Sequence, residues 1–541
     1  MRGAAAMLRY WHTTRYLKPG QVIGRIRFRL VRPTPDLRPA PPLRAMDGPW
    51  RAPPPRPQSW FPGDVVRFLN VERRLDDVGW DDPSIPKLWR YNLHYFDDLL
   101  APDGAARRAA QRAAIDRWIR ENPPGTGSGW EPYPTSLRIV NWAKWVLAGG
   151  ELGSEAIQSL AVQARWLARR LEWHLLGNHL FVNAKALVFA GCLFDGPEAE
   201  RWRSEGSRIL HLQLPEQILP DGGQFERSPM YHALALEDVL DLVNVMAASV
   251  AVADRLSAAL VSRVMPMRRW LQAMTHPDGD IAFFNDAAMG VAPRPAELEA
   301  YAARLGFAPS LDPLSELTVL PDSGLVRMQR GPAVVIADVG AVGPDYLPGH
   351  AHAGTLSFEL SLGGRRVIVN SGTSEYGLGA ERLRQRGTAA HSTISVDGQD
   401  SSEVWGGFRV SRRARIVGFA AHAAEGRIEV ECSHDGYRRL AGRPIHRRRW
   451  ALHAHGLDVD DEVTDAPGRA CVHVHWAPNV RCLADGSIRI GDAEVARLAL
   501  DGASRREEPS TWHPRFGEVV SNECSVARMT GTSSSLRLRW T

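Results

Sequence analysis

Lysine is nearly missing from this chain. Lys18, Lys87, Lys144 and Lys185 are the only four among 66 basic residues. Arginine is therefore the general-purpose cation, and a lone arginine carries little functional information. Cysteine is scarce as well. Cys192, Cys432, Cys471, Cys482 and Cys524 are scattered, with no CxxC pair, which excludes a disulfide framework. No apolar run is long enough to span a bilayer, so no integral membrane segment is expected. The first twelve residues lack the apolar core of a secretory leader. A cytoplasmic location is the first expectation, with a periplasmic one as the alternative. The net charge of +5 and pI near 9.0 are mild for the length. They are compatible with a polyanionic partner without demanding one. No nucleic-acid-binding motif is present, and nucleic acid is set aside.

What is present divides the chain. At 541 residues it is too long for one core, and two or three domains are expected. Residues 1–87 form an N-terminal arm with one amphipathic helix after Pro19, followed by a proline-rich connector over 32–57. Residues 88–315 have helical periods over 107–121, 135–149, 154–176, 179–194, 201–214, 230–253 and 257–274, broken by Pro/Gly joints. Repeated helix pairs suggest a toroid or solenoid. Residues 316–541 turn to short alternating runs with Gly/Asp turns, which predict an antiparallel β-sandwich. The fold class is thus multidomain α+β: an N-terminal (α/α) toroid of helical hairpins followed by a C-terminal antiparallel β-sandwich. A cleft between them is the default site. The 18 tryptophans fit an aromatic sugar cleft, but most are expected to fill helix interfaces.

Chemistry-bearing residues gather in three places. His350 and His352 are two apart at the mouth of a strand-like run, so their side chains share a face. Asn370 closes the next run and His391 opens a third. In the helical half, Gly177-Asn-His179 starts a helix. Asn178 reads as its N-cap, and His179 lies near the positive end, which favours neutral imidazole and attracts a carboxylate. The stretch 220–232 is a glycine loop leading into a helix with Ser228 as N-cap and Pro229 in the first turn, presenting Tyr231 and His232. The loop 283–286 is placed near the cleft, with Asn285 or Asp286 holding a neighbour.

Asn178-His179-Leu with Asn183, Asp221-Gly-Gly…Glu226-x-Ser228-x-x-Tyr231-His232, His350-x-His352, Asn370-x-Gly372-Thr373 and His391-Ser-Thr393 together resemble heparinase II/III-type polysaccharide lyases, relatives of the oligoalginate lyases. The resemblance covers roughly residues 88–480. It implies β-elimination on a uronic-acid-containing polysaccharide or oligosaccharide. A base removes the C5 proton alpha to the carboxylate, and the 4-O bond then leaves. It implies that Asn178 and His179 neutralise the carboxylate, that Tyr231 is the general acid and a candidate base, and that His350 assists from the other side. A free tyrosine titrates near pH ~10, so a basic Tyr231 would need help from Arg227, Arg384 or Arg386. Substrate contacts are assigned to Glu226, Tyr133, Arg138, Tyr437 and Arg438.

Some members of that family hold zinc, and the corresponding positions here are His352, Asn370 and His391. Asn370 stands where an aspartate is expected, and its neutral amide is a poorer zinc ligand. A zinc ion there would be structural; no other cofactor is expected. The partner is an acidic polysaccharide or oligosaccharide, and the chain is a monomer or homodimer. Two alternatives stay open: a glycoside hydrolase on the same scaffold, and a noncatalytic glycan-binding or assembly protein of a surface-polysaccharide pathway.

Overall fold

The computed structural model describes residues 2–249 and 255–540. The arm contains two helices, Arg2–Thr14 and Pro19–Leu30. Proline opens the second, where its missing N–H would have had no intrahelical partner. The proline-rich connector then straps the helical body. Arg44 N donates to Leu193 O (2.8 Å), and the Asn244 amide both accepts from Arg51 N and donates to Arg51 O. A three-stranded antiparallel sheet, Trp60–Phe61, Val65–Phe68 and Val71–Arg74, follows. These strands are too short to carry a period in the sequence.

The helical body runs through Lys87–Tyr95, Gly104–Glu121, Pro132–Leu147, Ser154–Arg169, Gly177–Leu193, Pro197–Gln217, Pro229–Ala248, Arg255–Ala273 and Pro295–Arg304. Helix Gly177–Leu193 is buried along nearly all its length, at the centre of the body. Its neighbour Pro197–Gln217 comes close because Gly206 has no side chain. A Cβ there would lie 2.6 Å from Ala184 O. Trp118, Trp142 and Trp270 are fully enclosed, so the packing role of tryptophan dominates, as expected. One helix end differs most from the periodicity. The helix expected over 154–176 ends at Arg169, and the chain turns before restarting at Gly177. The last residues of the expected 230–253 helix lie outside the described residues.

The C-terminal half is antiparallel throughout its strand ladders. Five strands, Leu317–Leu320, Leu325–Arg330, Ala333–Asp338, Phe358–Leu362 and Arg365–Ile368, form a meander. An eight-stranded sheet begins with Ile416–Ala424, Arg427–His434, His446–His453 and Gly456–Val463, with the last strand, Ser533–Arg539, beside the fourth. A four-stranded sheet contains Ile394–Val396, Ala470–His475, Val520–Met529 and Ala503–Trp512. Val335, Leu360, Val472, Trp450 and Leu538 come from all three sheets and share one apolar core. Among the described residues no helix is long and apolar enough to cross a membrane.

Candidate functional site

A cleft of about 1110 Å³ lies between the helical half and the β half. Tyr133, Asn178, His179 and Tyr231 line it from the helices, and His350, Tyr376 and Phe408 from the β side. Four of the sequence-predicted residues, Asn178, His179, Tyr231 and His350, are therefore brought together.

The turn before helix Gly177–Leu193 sets the first pair. Leu176 and Gly177 both have positive φ, and a Cβ on Gly177 would meet Leu347 at 2.3 Å. Only glycine lets the helix start this close to the β half. Asn178 sits inside the first turn and is not the N-cap; that position belongs to Leu176, which has no side-chain cap. The Asn178 amide is thus left to the cleft, with no hydrogen bond among the described residues. His179 is oriented by a residue the sequence reading missed. Its Nδ1 lies 3.2 Å from Glu172 Oε1. Glu172 in turn is clamped by Asn183, whose amide donates to Glu172 Oε2 (3.1 Å) and accepts from Glu172 N (2.9 Å). Burial disfavours a charged His179, but the Glu172 carboxylate outweighs it and raises the imidazole's pKa. The direction is opposite to the one expected from the helix start alone. The early end of the helix at Arg169 creates this arrangement by turning Glu172 back towards His179. The His179 ring also packs on Tyr133, with ring centres 4.6 Å apart.

Tyr231 and His350 form the second pair. Ser228 caps helix Pro229–Ala248 as predicted: its Oγ accepts from Tyr231 N (3.2 Å) and donates to Asp286 O (2.5 Å). The Tyr231 ring stacks on His350, with centres 4.0 Å apart and planes 17° from parallel. Its hydroxyl lies 2.9 Å from that of Tyr376. Burial, the Tyr376 hydroxyl and the Asp286 carboxylate push the Tyr231 phenol well above its usual range. His350 Nδ1 is 2.5 Å from Glu226 Oε2. Glu226 is buried, so it orients His350 and is not itself open to substrate. His232, next to Tyr231, is structural: it is buried, Nε2 faces Met267 O and Nδ1 accepts from Gln224 N.

The loop 283–286 stitches the two halves of the site, as the sequence placed it. Asn285 Nδ2 donates to Arg227 O (2.9 Å), and its Oδ1 accepts from His352 N (3.1 Å). Asp286 N donates to His350 O (2.9 Å). The Asp286 carboxylate takes a fully buried guanidinium, Arg382, on both oxygens, and also faces His352 Nε2 at 2.8 Å. Arg382 lies 4.9 Å from the centre of the Tyr376 ring. Tyr376 and Arg382 were missed because both sit in irregular chain or a two-turn helix that carries no period.

Other expected residues lie elsewhere. Arg138 is enclosed in the helical core, where it donates to Gln163 Oε1, His94 O and Gly129 O. Tyr437 is fully buried and donates to Ile394 O, and Arg438 is exposed outside the cleft lining. These three assignments as substrate contacts are corrected; Tyr133 is in the cleft. None of the arginines considered for activating Tyr231 touches it. Arg227 donates to Ala341 O, Arg386 to Ala351 O and Gly407 O, and Arg384 to Glu381 and Thr511.

The expected zinc ligands do not assemble into a donor set. His352 Nδ1 and His391 Nε2 face each other at 3.1 Å. Asn370 instead spends its amide on the backbone, donating to Phe283 O (2.9 Å) and accepting from Ser392 N (3.1 Å). Asp286, the carboxylate beside His352, is neutralised by Arg382. Among the described residues no group of three His, Cys, Asp or Glu is arranged to hold a metal. The residues present do not fit zinc.

Asn178, His179, Tyr231 and His350 thus present an amide, two imidazoles and a phenol to one cleft. Known proteins share this framework. The chain is 29% identical over 408 residues to FtsZ-localized protein C of Caulobacter vibrioides, covering 72% of this chain and 66% of that protein. It is 26% identical over 324 residues to the heparin-sulfate lyase of Pedobacter heparinus, covering 52% and 47%. The chain thus spans less than two thirds of these relatives' lengths. The crystal structure of heparinase III superposes with a TM-score of 0.68 at 17% identity, over 85% of this chain and 79% of that one, which establishes the fold. Family models for the heparinase II/III N-terminus and the heparinase II/III-like C-terminal region match residues 116–303 and 312–541. On both halves together, the chain belongs to the heparinase II/III-like family.

Proposed function

We propose that this protein is a polysaccharide lyase that cleaves a uronic-acid-containing polysaccharide or oligosaccharide by β-elimination. The observation that carries this reading is the convergence of Asn178, His179, Tyr231 and His350 on one cleft, with the last two stacked. The chemical difficulty is the weak acidity of C5. The Asn178 amide and the His179 imidazolium bind the uronate carboxylate and stabilise the negative charge that spreads onto it. His350 donates its Nδ1 proton to Glu226, which leaves Nε2 as the base for the C5 proton. Tyr231 keeps its proton in the resting site because burial and Tyr376 raise its pKa. It therefore acts as the acid, protonating the 4-O leaving oxygen as the C4–O bond breaks. The electrons of the C5–H bond become the C4=C5 double bond, and the Tyr376 hydroxyl bonds the phenolate left behind. Return of the proton from His350 to Tyr231, directly or through water, resets the site.

A hydrolase would need two free carboxylates across one bond. Here Glu226 is engaged by His350 and Asp286 by Arg382, which favours elimination. The test is ultraviolet absorbance of the conjugated C4=C5 uronate on heparan, hyaluronan, alginate and bacterial exopolysaccharide uronates. New reducing ends without that absorbance would indicate hydrolysis. Glycan binding with no cleavage would indicate an assembly protein.

A further inference from the structure

The arm has two opposite faces, and only one is used by the body. In helix Pro19–Leu30, Gln21, Gly24 and Phe28 point inward. Gly24 lies against the His174 backbone, where a Cβ would come within 3.0 Å of His174 N. Phe28 packs on the His174 ring with centres 4.2 Å apart, and its carbonyl accepts from Arg170 (2.9 Å). Helix Arg2–Thr14 is held by Thr13, whose Oγ1 accepts from Trp405 Nε1 (3.1 Å), and by Tyr10 against the Trp405 ring.

The outward faces are apolar. Val22, Ile23, Ile26 and Leu30 fall within an arc of about 100° on their helix, and all four are exposed, Ile23 by 66% and Leu30 by 77%. Met7, Leu8 and Trp11 repeat the arrangement on the first helix, with Met7 75% and Trp11 61% exposed. Charge is segregated around these stripes. Residues 1–35 contain seven arginines, one lysine and no carboxylate, so the arm carries +8 while the whole chain nets +5 and the rest nets −3. Arg25, Arg27 and Arg29 are exposed beside the second stripe and form no ion pair among the described residues.

We propose that this outer face of the arm binds the surface of an anionic lipid bilayer. An interfacial helix needs an apolar stripe that can enter the acyl boundary and flanking cations that meet lipid phosphates. Both arm helices supply the stripe, the arginines supply the cations, and Trp11 suits the interface between them. The absence of any carboxylate from residues 1–35 fits an anionic surface, since nothing on the two helices repels lipid headgroups. Because Phe28 also borders the cleft, such docking sets the cleft's mouth beside the bilayer.

The test is cosedimentation of the full chain with vesicles of phosphatidylcholine and phosphatidylglycerol in equal parts, against vesicles of phosphatidylcholine alone. Binding is expected only with the anionic vesicles and is expected to weaken with added salt. The double variant Ile23→Asp/Ile26→Asp should lose it at least tenfold, with thermal unfolding unchanged because both residues are exposed. Replacing Arg25, Arg27 and Arg29 by serine should weaken binding by roughly fivefold for each arginine removed. Failure to sediment with anionic vesicles would overturn the proposal, as would wild-type binding by both variants. Equal binding to the two vesicle types would overturn the anionic assignment. Loss of self-association in the variants, without lipid binding in the parent, would make the face a protein interface instead.

Discussion

The Tyr231 ring lies nearly parallel to the imidazole of His350, with ring centres 4.0 Å apart. One residue opens a helix of the N-terminal half and the other precedes a strand of the C-terminal half. Their contact makes a phenol and an imidazole neighbours between the two halves, and each has a different partner: Tyr376 for the phenol and Glu226 for the imidazole.

Removing the phenolic proton while keeping the ring separates chemistry from packing. Tyr231→Phe retains the stack on His350 and loses the hydroxyl facing Tyr376. We expect kcat to fall about 10²–10⁴-fold, the range for a positioned acid, with KM and the unfolding temperature little changed. Steady-state absorbance on a uronate substrate measures it. Undiminished kcat would exclude Tyr231 as the acid.

Glu226 is a positioning residue. In Glu226→Gln the side chain keeps its shape, loses the carboxylate charge and can present either its oxygen or its NH₂ to His350. The imidazole then loses its fixed tautomer. The expected outcome is a fall in kcat of roughly 10²-fold with KM and the unfolding temperature little changed. A purely structural Glu226 would lower the amount of folded enzyme and leave kcat per folded molecule unchanged.

In the proposed lyase, His179 is expected to set the pH dependence of carboxylate binding. Its pKa is raised in the folded protein, with Glu172 overcoming the effect of burial. The stabilisation from the Glu172–His179 pair is therefore fully present below the ordinary histidine value of about 6.5 and is lost as pH rises through the folded value. Substrate binding should follow the same course, with KM rising on the alkaline side. Glu172→Gln should move that rise to lower pH. The check is KM against pH for both proteins, and an unmoved alkaline limb would assign the titration to another group.

Much of this was legible in the sequence because periodicity and capping are local. The switch from helical to strand patterns and the Ser228–Pro229 helix start are encoded in short stretches, whereas the grouping of Asn178, His179, Tyr231 and His350 rests on the resemblance to heparinase II/III-type lyases. Individual strands are hardest to delimit over 480–529, where charged pairs such as Arg505–Arg506 and Glu507–Glu508 blur the alternation on a strand that is largely exposed. The partners of the site were harder still. Glu172, Tyr376 and Arg382 meet the motif residues only through chain turns, and no spacing announces them. Arg138 and Tyr437 were misplaced for the converse reason: each lies in a stretch with an aromatic sugar-site flavour, yet burial turns its polar atoms onto backbone carbonyls.

Metal dependence is decided by the same donor set. Asn370 is committed to Phe283 O and Ser392 N, and Asp286 to Arg382. What holds the β side of the cleft is then the Arg382–Asp286–His352 chain, which ties Asp286 O to Ser228 and Asp286 N to His350 at the same time. Incubation with EDTA should change neither unfolding temperature nor activity, whereas Asp286→Asn should destabilise the fold by about 3–5 kcal/mol because Arg382 is left charged and buried without its partner. The Asp286 carboxyl is held far below its usual range; burial opposes this, and Arg382 and His352 prevail. Its contribution to stability is thus present above the unfolded carboxyl value of about 3.9 and is lost only as pH falls below it. Thermal unfolding with and without EDTA, run from neutral to acid pH on the parent and on Asp286→Asn, distinguishes the two accounts. A large loss of stability in EDTA, with bound zinc found by elemental analysis, would show that His352 and His391 recruit a ligand beyond the side chains that now surround them.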